Sequence, residues 1–155
     1  MDKSTDETRR SFCVRAASLA VFGGALGTVL PGCASPTSPS NVPALPSVSA
    51  SVSGRSLLVT VDAASPLATV GGAALVQSSL GTVLVARTDQ NTFTALNSTC
   101  THDTCTITGI GSQHYVCPCH GSEFDTSGRV LVGPAPRNLT SYATQFTNNL
   151  LTISV

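Results

Sequence analysis

Two short runs constrain this chain more than anything else in it: Cys100-Thr101-His102-Asp103-Thr104-Cys105 and Cys117-Pro118-Cys119-His120-Gly121-Ser122. Each holds a Cys and a His at close spacing, and each holds one further Cys. In extended or looped chain, one intervening residue lets two side chains point to the same side. Cys100-x-His102 and Cys117-x-x-His120 on facing loops can therefore surround a metal centre, while Cys105 and Cys119 remain free to cross-link those loops. Thiolates favour zinc or iron–sulfur clusters, and imidazole suits both. A structural zinc site would use the same four groups in a tetrahedron. Zinc accounts poorly for the two spare thiols.

The scaffold around the boxes is β-rich. From about Gly54 short runs of β-branched and apolar residues alternate with turn residues. Candidate strands are Leu57 to Val61, Ala74 to Gln77, Thr82 to Arg87, Thr92 to Leu96, His114 to Cys117, Arg129 to Val132, Leu139 to Phe146 and Leu150 to Val155. Asn148-Asn149 tolerates positive φ and suits a tight hairpin. Asp125-Thr126-Ser127-Gly128 reads as a hairpin turn, and His114, beside Tyr115, as structural. No segment of this region carries a sustained 3.6-residue period. The expectation is an all-β head of about 100 residues. A domain of that size gains from a bound metal or a disulfide.

The residues before it read as targeting and tether. Thr8-Arg9-Arg10-Ser11-Phe12 resembles a twin-arginine export signal. The run Ala16 to Leu30 is short for a bilayer span, which needs roughly 20 apolar residues. Leu30-Pro31-Gly32-Cys33 resembles a lipoprotein cleavage box, with Cys33 as the lipid anchor; an uncleaved anchor helix is the alternative, and either attaches the chain to a membrane. Residues 34–53, with Pro36, Pro39, Pro43 and Pro46 among Ser and small residues, read as a flexible or extended linker. The expected organisation is thus a signal over 1–33, a linker over 34–53 and a folded head over 54–155. The whole chain has zero formal net charge and only 10% charged residues. After Cys33 it has four arginines, five acidic residues and no lysine, which gives no electrostatic basis for a nucleic-acid partner.

At the two boxes the chain resembles the Rieske [2Fe–2S] family, and within it the disulfide-bearing type of cytochrome bc complexes. The resemblance rests on Cys-Thr-His-x-x-Cys and Cys-Pro-Cys-His-Gly-Ser and extends over residues 57–155. It implies Rieske-like antiparallel sheets with a small cluster-binding subdomain of two loops. It implies a [2Fe–2S] cofactor, with Cys100 and Cys117 on one iron and His102 and His120 on the other, and a Cys105–Cys119 disulfide. Gly133-Pro134-Ala135-Pro136 resembles the family's proline loop, which covers the cluster from a third side. The implied chemistry is one-electron transfer at about −150 to +300 mV, since two neutral imidazoles replace two thiolates. Ser122 would donate a hydrogen bond to a bridging sulfide and favour the reduced state.

Two residues depart from the pattern. High-potential members carry Tyr where this chain has Phe124, which cannot donate a hydrogen bond. Asp103 stands beside His102 where quinol-oxidising members present an apolar residue, which makes a hydrophobic quinone pocket a poorer match. The expected function is that of a membrane-tethered, extracytoplasmic electron-transfer subunit, bc-type or arsenite-oxidase-like. Its partners would be redox proteins, a cytochrome or a catalytic oxidoreductase subunit, with quinol unproven. A ferredoxin serving an oxygenase and a non-redox zinc domain are the alternatives. Nothing resembles a Ser/His/Asp nucleophile set or a phosphate-binding glycine loop with its lysine, so no substrate-converting site is evident.

Overall fold

The computed structural model describes residues 42–155. The signal-like segment, Cys33 and the first part of the expected linker lie outside the described residues. The described residues contain no α-helix, so none there is long and apolar enough to cross a membrane. They fold as two sheets. The larger is built from β1 (Ser47–Ser49), β2 (Ser51–Ser53), β3 (Ser56–Thr60), β4 (Ala73–Ser78), β5 (Gly81–Asp89), β6 (Thr92–Asn97), β11 (Ser141–Thr147) and β12 (Leu150–Ser154). The smaller is built from β7 (Gly109–Ile110), β8 (His114–Val116), β9 (Glu123–Asp125) and β10 (Val130–Val132), in the order β10-β9-β8-β7.

The larger sheet runs β1-β4-β5-β6-β11-β12-β3-β2. Its two terminal members, β1 and β2, are separated in the chain by Ala50 alone, whose N–H bonds Gln77 O at 2.9 Å. The stretch 47–53 is therefore one bent strand that pairs with β4 on one side and β3 on the other. It closes the sheet on itself, which removes both open edges. The β1–β4 pair is parallel, and every other pair in the two sheets is antiparallel.

This corrects the expected linker. Ser47 to Ser53 alternates serine with Val48, Ala50 and Val52, which is the period of a strand with one face inward, and Val48 and Ala50 pack on the barrel core. Upstream, Leu45 is buried, its N–H bonds Thr108 O at 2.7 Å, and Ala44 bridges to Gly109. The folded unit thus begins by Val42, before the expected boundary at Gly54. The eight expected strands each overlap an observed one; β1, β2, β7 and β9 were not expected.

Two cores follow from side-chain alternation. Ala74, Val76, Val83, Val85, Phe93 and Ala95 face into the barrel with Leu57, Val59, Leu151 and Ile153. The residues between them, Leu75, Leu84, Ala86 and Leu96, face outward and share a second core with Ile107 and with Tyr115 and Phe124 of the small sheet. Strands β4 to β6 are buried on both faces, which is why their sequences are apolar runs with little alternation. At the β11–β12 hairpin Asn148 and Asn149 have φ of 52° and 60°, the pair of positive values that a two-residue I′ turn requires.

The β9–β10 turn is held by Asp125. Its Oδ1 accepts from the N–H of Ser127 and of Arg129 at 2.9 and 3.0 Å, and from Ser127 Oγ at 2.6 Å; Arg129 Nε meets Oδ2 at 3.2 Å. Burial alone would raise its pKa, but these hydrogen bonds outweigh burial and hold the carboxyl below the usual carboxylate range. A depressed folded-state pKa adds stability above the unfolded pKa, and that stability is lost as pH falls through the folded value. Asp125→Ala is therefore expected to cost about 1–3 kcal/mol at pH 7. Denaturant unfolding should show the gap to wild type narrowing as the pH is lowered through the acidic range.

Candidate metal centre

Three loops meet at one end of the small sheet. The first box follows β6 and is pinched at its base by the Thr99–Thr106 bridge and by Cys100 N–H bonding Cys105 O at 2.8 Å. The second box is the β8–β9 connection. Cys117 N–H bonds Ser122 O at 2.8 Å and Gly121 N–H bonds Cys117 O at 3.0 Å. Gly121, at φ 74°, supplies the left-handed residue that lets this turn close. The third is the loop after β10, Gly133-Pro134-Ala135-Pro136, with a cis bond at Gly133–Pro134.

Covalent and polar links tie the loops together. A Cys105–Cys119 disulfide joins the two boxes, with their Cα atoms 6.5 Å apart. Ser122 is fully buried and its Oγ accepts the Ala135 N–H at 3.0 Å, fastening the proline loop to the second box. Thr101 Oγ1 donates to Arg137 O at 2.5 Å, fastening the same loop to the first box.

The site has a dry side and a wet side. Cys100 and Cys117 are the two free cysteines of the described residues and are 4% and 1% exposed. His102 and His120 are exposed, with ring centroids 4.7 Å apart and planes at 87°. The sulfurs of Cys105, Cys117 and Cys119 lie within 4.8 Å of one another; the disulfide uses two of them and leaves Cys117 as the free thiol. Burial pushes the Cys117 thiol up, and the neighbouring Cys100 sulfur adds to that. The backbone N–H groups of Cys119 and His120 pull it down.

These features match what a metal–sulfur group demands. Burial opposes ionisation of the Cys117 thiol, and a cationic centre bound there would offset that cost. Main-chain amides already aim at Cys117 sulfur, as they would at a coordinated thiolate. Ser122 Oγ uses one of its two lone pairs to accept the Ala135 N–H, which leaves its O–H free to donate within a fully buried site.

Phe124 is fully buried in the same core as Cys100 and Cys117 and pairs across the ladder with Tyr115. Tyr115 is also fully buried, its hydroxyl has no hydrogen-bond partner, and burial raises its pKa. His114 has the structural place expected of it. Its ring stacks so closely on Gly111 that a Cβ there would sit 2.2 Å away, and Nε2 lies 3.5 Å from Glu123 Oε2. Thr101 was not singled out in the sequence. Its position between two ligand-type residues was the one signal, and its bond to the proline loop needed the fold.

Comparisons with known proteins agree with this geometry. A family model for the Rieske [2Fe-2S] domain matches residues 42–143. The chain belongs to that family, and its cofactor is the Rieske [2Fe–2S] cluster. The cytochrome b6-f complex iron-sulfur subunit of Prochlorococcus marinus (strain NATL1A) is 40% identical over 74 residues, covering 45% of this chain and 42% of that protein. The corresponding subunit of Trichodesmium erythraeum (strain IMS101) is 49% identical over 45 residues, covering 28% of this chain and 25% of that one. The matched segment therefore spans less than half the length of these relatives. Among solved structures, the plasma membrane Rieske protein PetC3 from Synechocystis PCC 6803 is 37% identical with a TM-score of 0.49, covering 54% of this chain and 87% of that one. The ferredoxin of carbazole 1,9a-dioxygenase from Nocardioides aromaticivorans IC177 has a TM-score of 0.50 at 18% identity, covering 63% of this chain and 96% of that one. The latter likeness concerns the fold alone.

Proposed function

We propose that Cys100 and Cys117 bind one iron of the cluster, that His102 and His120 bind the other, and that the protein carries single electrons. The observation that carries this reading is the division of the site: two thiols buried among apolar side chains, and two imidazoles beside each other at the surface. When bound, the cluster supplies a one-electron couple. Buried thiols hold its inner side away from water. The exposed imidazole edge gives an electron a short route to a partner. Ser122 and the proline loop keep water from the third side.

The protein serves as an electron-transfer subunit of a respiratory-type oxidoreductase, bc-type or arsenite-oxidase-like, on the extracytoplasmic face of a membrane. Supporting this are the twin-arginine-like segment, the lipobox-like Cys33 and the likeness to subunits of a cytochrome b6-f complex. The disulfide fits an oxidising compartment. Attachment runs through an N-terminal anchor or a lipid on Cys33, and partners are redox proteins. Asp103 lies exposed beside His102, which argues against a quinone as the immediate donor. An Arg9→Lys, Arg10→Lys double variant should keep the cluster-bearing head out of the extracytoplasmic space. Export of intact, cluster-loaded protein by that variant would remove this part of the reading.

The potential should respond to the two buried residues of the β9 strand and its approach. Phe124→Tyr places a hydroxyl in the core that contains Cys100, and a hydrogen bond to a ligand thiolate stabilises the reduced state more. A difference of about 1.4 kcal/mol raises a one-electron potential by about 59 mV. Ser122→Ala acts the other way, by lowering the potential and leaving the Ala135 N–H unpaired. Protein-film voltammetry of both variants checks the signs; a fall for Phe124→Tyr would contradict the account.

A further inference from the structure

Three sulfurs meet where the two boxes face each other. Those of Cys105, Cys117 and Cys119 all lie within 4.8 Å of one another. Cys105 is half-buried, Cys117 buried and Cys119 exposed. Cys105 and Cys119 are joined as the disulfide, and Cys117 is a free thiol. A cysteine sulfur this close to a disulfide stands where thiol–disulfide exchange begins: a thiolate attacks one sulfur of the bridge and the other departs. Cys117 bound to iron cannot make that attack, because its lone pair is held by the metal. Cys117 released from iron can.

The three environments set the direction of the exchange. Attack on Cys119 would close a bridge over Pro118 alone, whose fixed φ leaves little freedom to reach disulfide geometry. Attack on Cys105 meets no such constraint, since the two residues come from different loops. It expels Cys119, the exposed sulfur, into water that solvates the departing charge. It also moves the unpaired thiol from a place that is 1% exposed to the surface. Burial opposes the attacking Cys117 thiolate, while main-chain N–H groups of Cys119 and His120 support it. The exchange should therefore be slow, on the minutes-to-hours scale of uncatalysed disulfide rearrangement.

We propose that Cys117, once released from iron, attacks Cys105 Sγ and rebuilds the bridge as Cys105–Cys117, so that a head that loses its cluster locks itself against reloading. The Cys105–Cys119 S–S bond breaks as the Cys105–Cys117 S–S bond forms. The electron pair of the broken bond leaves on Cys119 Sγ, which takes up the proton that Cys117 gave up. One disulfide replaces another, and no oxidant or reductant is consumed. The product has a cluster ligand tied up in its bridge and a thiol at Cys119. The inference rests on the reading of Cys117 as an iron ligand, and it adds that cluster loss is one-way wherever no reductant reopens the bridge.

The test starts from full-length, cluster-loaded protein, part of which is stripped by brief acid treatment with a chelator. Stripped protein is returned to neutral pH without oxygen or added thiol. The Cys100→Ser variant, which lacks a ligand, supplies a second cluster-free sample and removes Cys100 as a rival nucleophile. At intervals the samples are denatured in N-ethylmaleimide and digested without reduction. Mass spectrometry maps the bridges, and fragmentation shows whether Cys117 or Cys119 carries the label. In both cluster-free samples the label should pass from Cys117 to Cys119 as the Cys105–Cys117 bridge appears, at a rate independent of protein concentration. The capacity of stripped wild type to be reloaded with iron and sulfide should fall in step, and dithiothreitol should restore it. Cluster-free protein that keeps the Cys105–Cys119 bridge, with the label on Cys117 throughout, would overturn the inference. So would a label spread evenly over all the cysteines, the mark of an unfolded chain reshuffling. Label on Cys119 in the loaded protein would instead bring down the reading of Cys117 as an iron ligand.

Discussion

Cys117→Ser is expected to yield a protein without the cluster, colourless and with no signal from reduced iron, whereas Cys105→Ser should still assemble it. The two residues belong to the same triangle of sulfurs, so the contrast is demanding. Cys117 is 1% exposed, beside Cys100, with main-chain amides directed at its sulfur. A serine oxygen there is a poorer partner for iron and leaves Cys100 as a lone buried thiol. Cys105 is committed to Cys119, and its loss releases one loop from the other without removing a ligand. A bridge of this separation contributes about 2–4 kcal/mol. The Cys105→Ser protein should therefore lose its cluster at lower temperature or denaturant concentration than wild type. Iron analysis and thermal bleaching of the visible absorption measure both results. A Cys117→Ser protein that retains full iron content would show that the assignment of ligands is wrong.

The second large effect concerns the start of the folded unit. A chain beginning at Val42 should fold and hold the cluster as the full chain does; one beginning at Gly54 should not. Removing 42–53 opens the barrel between β3 and β4 and strips the main-chain partners of Leu75, Gln77, Thr108 and Ile110. It also removes Leu45, which lies in the core between the sheets, and Val48 and Ala50 at the barrel core. A fully buried leucine is worth about 1.5–3 kcal/mol, and each lost hydrogen bond about 0.5–1.5 kcal/mol. Together these approach the whole stability of a small domain, about 5–15 kcal/mol. Urea unfolding of the two chains should show a cooperative transition for the longer and none for the shorter. Equal midpoints would mean that 42–53 is the passive tether its composition suggests.

The misreading of that segment shows where sequence patterns lose their force. The boxes were legible because thiol and imidazole at fixed spacing have few uses, and the structure brings all three loops together where the motifs imply. The eight expected strands stood out because β-branched runs were bounded by turn residues. Ser47 to Ser53 carried an equally regular alternation, but with serine as the outward residue and four nearby prolines its composition read as flexible chain. The closing of the barrel on Ala50 is a tertiary event, decided by partners far along the chain in β4, such as Leu75 for Ser47 and Gln77 for Ala50. Strands β7 and β9 stood out less because Gly109–Ile110 and Glu123–Asp125 each hold a single large apolar residue, where the equally short β8 and β10 hold two or three. Polar fastenings were the least legible of all. Thr101 and Ser122 look like ordinary turn residues until the proline loop lies against them.

The account stands on a [2Fe–2S] cluster held by two buried cysteines and two surface histidines. The most direct measurement is the electron paramagnetic resonance spectrum of the reduced full-length protein, taken with iron and acid-labile sulfide analysis of the same sample. The prediction is iron and sulfide in equal amounts and a one-electron-reduced cluster signal with nitrogen couplings from two imidazoles, not both of which persist in a His102 or a His120 variant. A silent spectrum from a protein that contains zinc and no sulfide would contradict it.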